Sequence, residues 1–168
     1  MKTPLIPNNS LKVQITEIVN LCKKLASDYG DEASWFQPPA SEAEISDWEN
    51  KTQTLIPKTY KEWLSFTSEA NIRNTLAHFY SPNNFIFNLA GLPEDYVYIA
   101  DLNGDGEILC FSKTTGDFIW IDHKNEETLT DFSSILDEVI RMLKPQSCLS
   151  PEMEKLLMDM VKQSDNKK

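Results

Sequence analysis

The chain has 168 residues, of which 40% are hydrophobic and 25% are charged. These proportions are typical of a soluble globular protein, and a chain of this length can bury a core without disulfides or a metal. Residues 1–10 contain prolines and asparagines where a signal peptide needs an apolar run, and no apolar stretch reaches the roughly 18 residues of a membrane helix. The 3 cysteines are far apart, which indicates a reducing compartment. We therefore expect one cytoplasmic domain.

The formal net charge of −10 is concentrated in one part of the chain. Residues 94–138 hold 12 acidic and 2 basic residues, whereas the remainder holds 14 of each. Such a charge argues against a nucleic-acid backbone or an anionic membrane as partner. It leaves two interpretations: a solvated acidic surface that aids solubility, or a surface that binds a basic protein.

The first 30 residues predict an amphipathic helix. Ser10 is suited to cap it, and Gly30 stands where it would stop. Apolar side chains recur at helical spacing at Leu11, Ile15, Ile18, Cys22, Leu25 and Tyr29. We expect a helix over residues 10–29 with this stripe in the core.

Two shorter helices are expected next, after a loop at residues 35–39. Ser41 and Glu44 have the spacing of a capping box, and the helix that they open should end near Gln53. Pro57 is suited to the first position of a third helix. Its inner face is formed by Tyr60, Trp63, Leu64 and Thr67.

The middle of the chain predicts strands. Five short apolar or aromatic runs lie between turn residues, at 76–80, 85–89, 97–100, 108–111 and 118–121. An acidic loop is expected at 124–130. The pattern predicts an α+β fold, with a largely antiparallel sheet of about five strands and helices before and after it.

The last part of the chain predicts two helices. Asp131 is suited to cap the first, whose apolar residues from Phe132 to Leu143 have the strongest helical spacing in the chain, and Pro145 should end it. A final helix is expected over 150–163. Its apolar stripe consists of Met153, Leu156, Leu157, Met160 and Val161.

One motif resembles a metal site. Residues 101–106 read Asp-Leu-Asn-Gly-Asp-Gly, like the opening of a calcium-binding loop, but the twelfth position is Ser112 instead of the required glutamate. Asn-Gly and Asp-Gly are also the preferred residues of a hairpin turn, which is the interpretation that we favour. The alternative is a metal-dependent enzyme that uses Asp101, Asn103 and Asp105 with His123.

The chain resembles the SUKH superfamily. The resemblance is carried by Phe36-x-Pro-Pro-x-Ser-x-x-Glu-Ile-x-x-Trp-Glu, then Leu55-Ile-Pro-x-x-Tyr-Lys-x-x-Leu64, and Asn71. The Gly-Asp hairpin at 104–105, a strand that ends near Asp122 and the helix 131–143 also fit. Two departures are Ile56 in place of a leucine before the proline, and Ile72 in place of a glycine after Asn71.

The resemblance implies a single SUKH-like domain over 1–168, with a family-like module at about 36–143 and the helices 10–29 and 150–163 as additions. Members are mostly bacterial immunity proteins that neutralise toxin domains, and a fungal relative regulates cell-wall assembly. We therefore expect no enzyme activity and no catalytic, metal or cofactor residues. The expected partner is a basic toxin domain, with a housekeeping scaffold role as the alternative, and the chain should be a monomer or weak homodimer. The candidate partner-binding acids are Asp101, Asp105, Glu107, Asp117, Asp122, Glu126 and Glu127.

Overall fold

The chain is organised around one antiparallel sheet. A computed structural model describes residues 3–29, 34–74, 76–104, 106–122 and 125–148, and within them eight strands form this sheet. The strands are β1 Trp35–Phe36, β2 Ala70–Ile72, β3 Ala77–Phe79, β4 Ile86–Phe87, β5 Tyr96–Leu102, β6 Glu107–Ser112, β7 Phe118–Ile121 and β8 Glu126–Leu129. The helices are α1 Lys12–Tyr29, α2 Glu42–Thr52, α3 Lys58–Leu64 and α4 Phe132–Cys148, with a 3-10 helix at Pro82–Asn84. The predicted α+β class is confirmed, although the sheet has more strands than the five expected.

The strands follow the order β1-β2-β3-β5-β6-β7-β8, and every pairing is antiparallel. β4 lies off this path and pairs with the first part of β5, whereas β3 pairs with the last part. The predicted runs 76–80 and 85–89 therefore both contain strands, but these strands pair with β5 and not with each other.

Three strands lie where the sequence did not predict them. β1 falls in the predicted loop at 35–39, β2 precedes the first predicted run, and β8 falls in the predicted acidic loop at 124–130. β1 is two residues long. In β8 the first three side chains are exposed, so the strand has no apolar alternation that could reveal it.

The helices cover one face of the sheet. The main core cluster joins side chains of α1 to α4 to alternate residues of the central strands. At its centre the Tyr60 and Phe132 rings lie 4.8 Å apart, and the Trp63 and Phe79 rings lie 5.0 Å apart. Burial of each such ring contributes on the order of 1.5–3 kcal/mol. These contacts fix α3 and α4 against β3 on one face of the sheet.

The helix ends agree in part with the predictions. The capping box is present: the Glu44 N–H donates to Ser41 Oγ (3.2 Å), and the Ser41 N–H donates to Glu44 Oε2 (2.8 Å). Gln53 follows α2 with a left-handed φ of 52°. Pro57 occupies the cap position of α3 and not its first helical position.

Two further predictions about helix ends were wrong. Ser10 does not cap α1, because the helix begins at Lys12 and Leu11 is the residue before it. The Ser10 N–H and hydroxyl donate to Glu62, and Asn9 Oδ1 accepts from the Leu11 N–H at 3.1 Å. α4 continues through Pro145 to Cys148. Pro145 has no N–H, so the helical hydrogen bond to the carbonyl of Arg141 is missing at this position.

The apolar stripe of α1 is buried as predicted from Leu11 to Leu25, while the side chain of Tyr29 lies outside the described part of the chain. The predicted helix 150–163 also lies outside it. Among the helices of the described ranges, none is both long enough and apolar enough to cross a membrane.

Candidate functional site: the helix-free face of the sheet

One residue from each of seven strands forms a row across the face of the sheet opposite the helices. Neighbours in the row are paired across adjacent strands: Trp35, Asn71, His78, Asp101, Ile108, Ile121 and Glu126. Because side chains alternate along a strand, the residues on either side of each row member point toward the helices. We call this side of the sheet the open face.

A small apolar cluster supports the open face at its centre. Tyr98, Cys110 and Ile119 are buried there, and Leu89 and Leu92 from the β4–β5 connection pack against them. Within the described residues, every member of this cluster comes from a strand or a loop. The open face therefore has its own packing and needs no helix to hold its side chains in place.

Aromatic rings line the first half of the open face. The Trp35 and His78 rings meet edge to face at 5.7 Å, His78 and Tyr80 lie 4.6 Å apart, and Tyr80 and Tyr98 lie 5.5 Å apart. His78 Nε2 also lies 2.9 Å from Glu69 Oε1, and Glu69 Oε2 accepts a hydrogen bond from Asn84 Nδ2 at 3.1 Å. The result is a continuous strip of four rings with a carboxylate beside it.

Asp101 stands at the end of this strip and binds two phenols. The Tyr98 hydroxyl donates to Asp101 Oδ1 and the Tyr80 hydroxyl donates to Asp101 Oδ2. Burial, assisted by the hydrogen bond to Asp101, raises the pKa of Tyr80 to about 12, and the same causes raise the pKa of Tyr98 further. Both phenols thus stay protonated at neutral pH and hold the carboxylate in one orientation.

Glu126 occupies the other end of the open face. It accepts a hydrogen bond from the Tyr96 hydroxyl, and this bond is the main cause that raises the pKa of Tyr96 to about 12. Beneath it, burial and the charge of Glu126 raise the pKa of the Cys110 thiol to about 12. A thiol of this kind is a packing group and not a nucleophile, because the thiolate is the reactive form.

The predicted partner-binding acids do not all lie together. Asp101 and Glu126 are on the open face, on either side of the apolar cluster. Glu107 points to the helix side, where its carboxylate accepts from Trp120 Nε1 (2.9 Å) and Asn103 Nδ2 (3.1 Å). Glu127 also lies on the helix side, paired with Trp120.

Two of the remaining predicted acids, Asp117 and Asp122, lie in connections between strands. Asp122 accepts from the Asn125 N–H at 2.7 Å, which joins the end of β7 to the residue before β8. It lines a cavity of about 380 Å³ with Trp120, Asn125, Glu127 and Glu138. Asp117 lies in the β6–β7 turn, where its carbonyl accepts from the Ser112 N–H at 2.9 Å. Asp105 lies outside the described residues.

Asn103, Gly104 and Gly106 of the calcium-like motif lie in the connection between β5 and β6, where a turn was predicted. Asn103 and Gly104 have positive φ values of 60° and 65°, which Asn-Gly adopts easily. The turn borders a cavity of about 350 Å³ that is lined by Asn74, His78, Asp101, Leu102, Gly104 and Gly106. In the described ranges no three His, Cys, Asp or Glu side chains are grouped so that they could hold a metal ion. His123, like Asp105, is outside these ranges.

Sequence reasoning missed the aromatic part of the site. Trp35, Tyr80, Tyr96 and Tyr98 were not predicted as site residues, and His78 was placed in a strand without a site role. A weak signal was present, since His78-Phe79-Tyr80 and Tyr96-Val97-Tyr98 each alternate a polar ring with a buried side chain.

Fold and site together define an α+β protein that packs its helices on one face of an antiparallel sheet and leaves an aromatic and acidic face on the other. The family model described as "SMI1 / KNR4 family (SUKH-1)" matches residues 39–140. The chain therefore belongs to this family, as its sequence motifs predicted. A search of curated proteins found no match. Membership is consistent with an immunity or regulatory protein.

Proposed function

We propose that this protein is an immunity protein that binds a basic toxin domain through the open face and occludes the toxin's active site. The observation that carries the proposal is the placement of Asp101 and Glu126, two pre-oriented carboxylates, among aromatic rings on a sheet face that no described helix covers. Family membership supports the same role.

The chemistry of the open face suits lysine and arginine side chains. Aromatic rings attract cations through their faces, and carboxylates bind guanidinium groups through two oxygens. Asp101 and Glu126 are already held by tyrosine hydroxyls, so little side-chain entropy is lost when a partner binds. Trp35, with 37% of its surface exposed, adds a large rigid contact at the edge of the strip.

We expect the other predicted acids to act on this interface through long-range electrostatic attraction. Glu107, Asp117, Asp122 and Glu127 lie outside the open face but within the segment 94–138 that carries the net charge. Their field raises the rate at which a basic partner arrives, and the open-face side chains then form the contacts. Toxins that cleave nucleic acids have basic grooves, which makes a nuclease domain the partner that we expect.

The test is the affinity for a candidate toxin domain encoded by a neighbouring gene, measured with two double variants that remove the same charge. Asp101→Asn with Glu126→Gln alters the open face; Glu42→Gln with Asp47→Asn alters exposed acids on α2. We expect the first pair to raise the Kd roughly tenfold or more and the second to change it less than about twofold. Equal effects would place the interface elsewhere.

A survival assay separates the immunity role from a housekeeping role. Cells that express the neighbouring toxin domain should grow only when this protein is co-expressed, and the open-face double variant should protect them less well. If no toxin is encoded nearby, or if protection is absent, the protein is instead a regulatory scaffold of the same family.

A further inference from the structure

One end of the open face holds a cavity of about 350 Å³ beside Asp101. Its walls come from two parts of the chain that the sheet brings together: β3 with the connection before it, and the end of β5 with the β5–β6 connection. We call this cavity the Asp101 pocket. Binding pockets in proteins usually measure about 300–1,000 Å³, so a cavity of this size suits one side chain or a small molecule.

Backbone contacts hold the two walls of the Asp101 pocket together. His78 and Asp101 are directly paired across β3 and β5. Just past the end of β5, the Asn103 N–H donates to the carbonyl of Leu76 at 2.8 Å, which joins the β5–β6 connection to the residue before β3. The pocket is therefore part of the sheet framework, and a ligand loses little free energy in ordering its walls.

Asp101 gives the pocket a carboxylate with spare acceptor capacity. A carboxylate has about four lone-pair positions, and the hydroxyls of Tyr80 and Tyr98 use one on each oxygen. Both oxygens can therefore accept a further hydrogen bond. Because these oxygens belong to one planar group that the phenols hold in place, they match the two parallel N–H groups of a guanidinium.

The other lining residues suit a flat cation. His78 supplies an aromatic ring, and the guanidinium of arginine stacks on aromatic rings, whereas the ammonium of lysine is compact and strongly hydrated. Gly104 and Gly106, with φ values of 65° and 85°, have no side chains that could narrow the pocket. Asn74 is an exposed lining residue. These features favour arginine over lysine as the occupant.

We propose that the Asp101 pocket is a subsite for an arginine side chain of the partner protein. This inference rests on the proposed function and deepens it, because it names the residue type that binds at this end of the open face. The guanidinium binds both oxygens of Asp101 and stacks on His78. The acidic segment attracts basic partners in general, whereas this subsite selects among them for a correctly placed arginine.

Titration of the full chain with ethylguanidinium, followed by nuclear magnetic resonance at constant ionic strength, tests the subsite without a partner. We expect saturable shifts of the backbone amides 76–78 and 101–104, with a Kd of roughly 1–10 mM. Ethylammonium should bind at least about threefold more weakly, because it lacks the planar fork of N–H groups. Asp101→Asn should weaken the binding of ethylguanidinium at least about fivefold, because the charge and one acceptor oxygen are lost.

Asn74→Lys tests the pocket while Asp101 stays in place. A lysine at this lining position competes for the carboxylate and repels the cationic probe, so we expect at least about threefold weaker binding of ethylguanidinium. Asn88→Lys is the matched control. Asn88 is also an exposed asparagine with a positive φ, 53° against 54° for Asn74, and it is not among the described lining residues. This control should leave the Kd of the probe unchanged.

Three results would overturn the subsite: shifts that spread over many surface carboxylates without saturation, equal binding of the two probes, or equal binding by Asn74→Lys and Asn88→Lys. The affinity for the candidate toxin domain judges the proposed function separately. If that domain does not bind while the probes behave as expected, the immunity role fails and the pocket remains an arginine subsite for a different partner. If the domain binds and Asn74→Lys leaves its Kd unchanged, the subsite fails and the immunity role stands.

Discussion

The Tyr98 hydroxyl donates a hydrogen bond to the carboxylate of Asp101, three residues further along the same strand. In a regular strand these two side chains would point to opposite faces of the sheet. A β-bulge between Tyr98 and Ala100 shifts the register against β6, so Ile99 and Ala100 are both buried in the main core and Asp101 returns to the face of Tyr98. The bulge thereby places the carboxylate of the open face.

Asp101→Asn tests the role of this carboxylate in organising the tyrosines. An amide offers one acceptor oxygen where the carboxylate offers two, so one phenol loses its acceptor. We expect a loss of about 1–2 kcal/mol in the free energy of unfolding. The pKa of Tyr80 should fall below about 12 but stay above 10, because burial is its largest cause and remains. Urea unfolding measures the free energy of unfolding, and ultraviolet titration measures the pKa of the tyrosines, with Asp47→Asn as the control variant. A tyrosine titration that Asp101→Asn leaves unchanged would show that Asp101 does not organise these phenols.

The long-range role of the acidic segment predicts an effect on association alone. Asp117→Lys with Glu127→Lys changes charges outside the open face, so we expect slower association with the toxin domain and little change in dissociation. The difference from the parent chain should shrink as salt rises, because the Debye length falls from about 10 Å at 0.1 M to about 3 Å at 1 M. Stopped-flow rates at several salt concentrations provide the measurement. If Glu42→Lys with Asp47→Lys behaves in the same way, the acidic segment acts only as a solvated surface.

Cys110 predicts a loss of stability at alkaline pH. Burial raises its pKa from 9.0 to about 12, so the unfolded chain releases this proton at a lower pH than the folded chain. The contribution to stability is complete below about pH 9 and is lost as the pH rises toward 12, at up to about 1.4 kcal/mol per pH unit. Urea unfolding between pH 7 and 10 should show this slope, and Cys110→Ala should flatten it. The same slope in both proteins would show that another group is responsible.

The β5–β6 turn should not bind calcium. Ser112, at the twelfth position of the motif, is buried at the end of β6 and its hydroxyl donates to Asp95, so it cannot supply the bidentate carboxylate that such a loop requires. Calorimetric titration with Ca²⁺ should give no binding tighter than about millimolar. Saturable micromolar binding that is lost in Asp101→Asn would refute this interpretation.

The elements that the sequence predicted well are those whose residues are buried in a periodic pattern. The stripe of α4 and the apolar runs of β5, β6 and β7 face the core, so burial itself imposes the pattern that was detected. β8 could not be found in this way, because Glu126 and Glu127 are exposed on both faces. Its strand conformation comes from pairing with β7, which is a tertiary contact.

The open face was predicted only in its charge. Acid counts identified residues 94–138 as the segment that carries the net negative charge. The contact between Asp101 and Tyr98 depends on a β-bulge, which neither residue type predicts. Glu69 joins the site through His78, nine positions away, because β2 and β3 pair. Such neighbours follow from strand pairing and register, which composition and local spacing do not determine.

β8 is the last strand of the sheet in the described structure, and consecutive glutamates give it a negative charge on each face. A strand that added to this edge would meet carboxylates above and below the sheet. For a β8 strand from another copy of the chain, the added glutamates would repel those already present, so growth of the sheet by stacking copies is disfavoured. A strand that carries lysine or arginine would meet no such repulsion. The exposed edge therefore disfavours pairing with β8 of another copy and permits pairing with a strand from a basic partner.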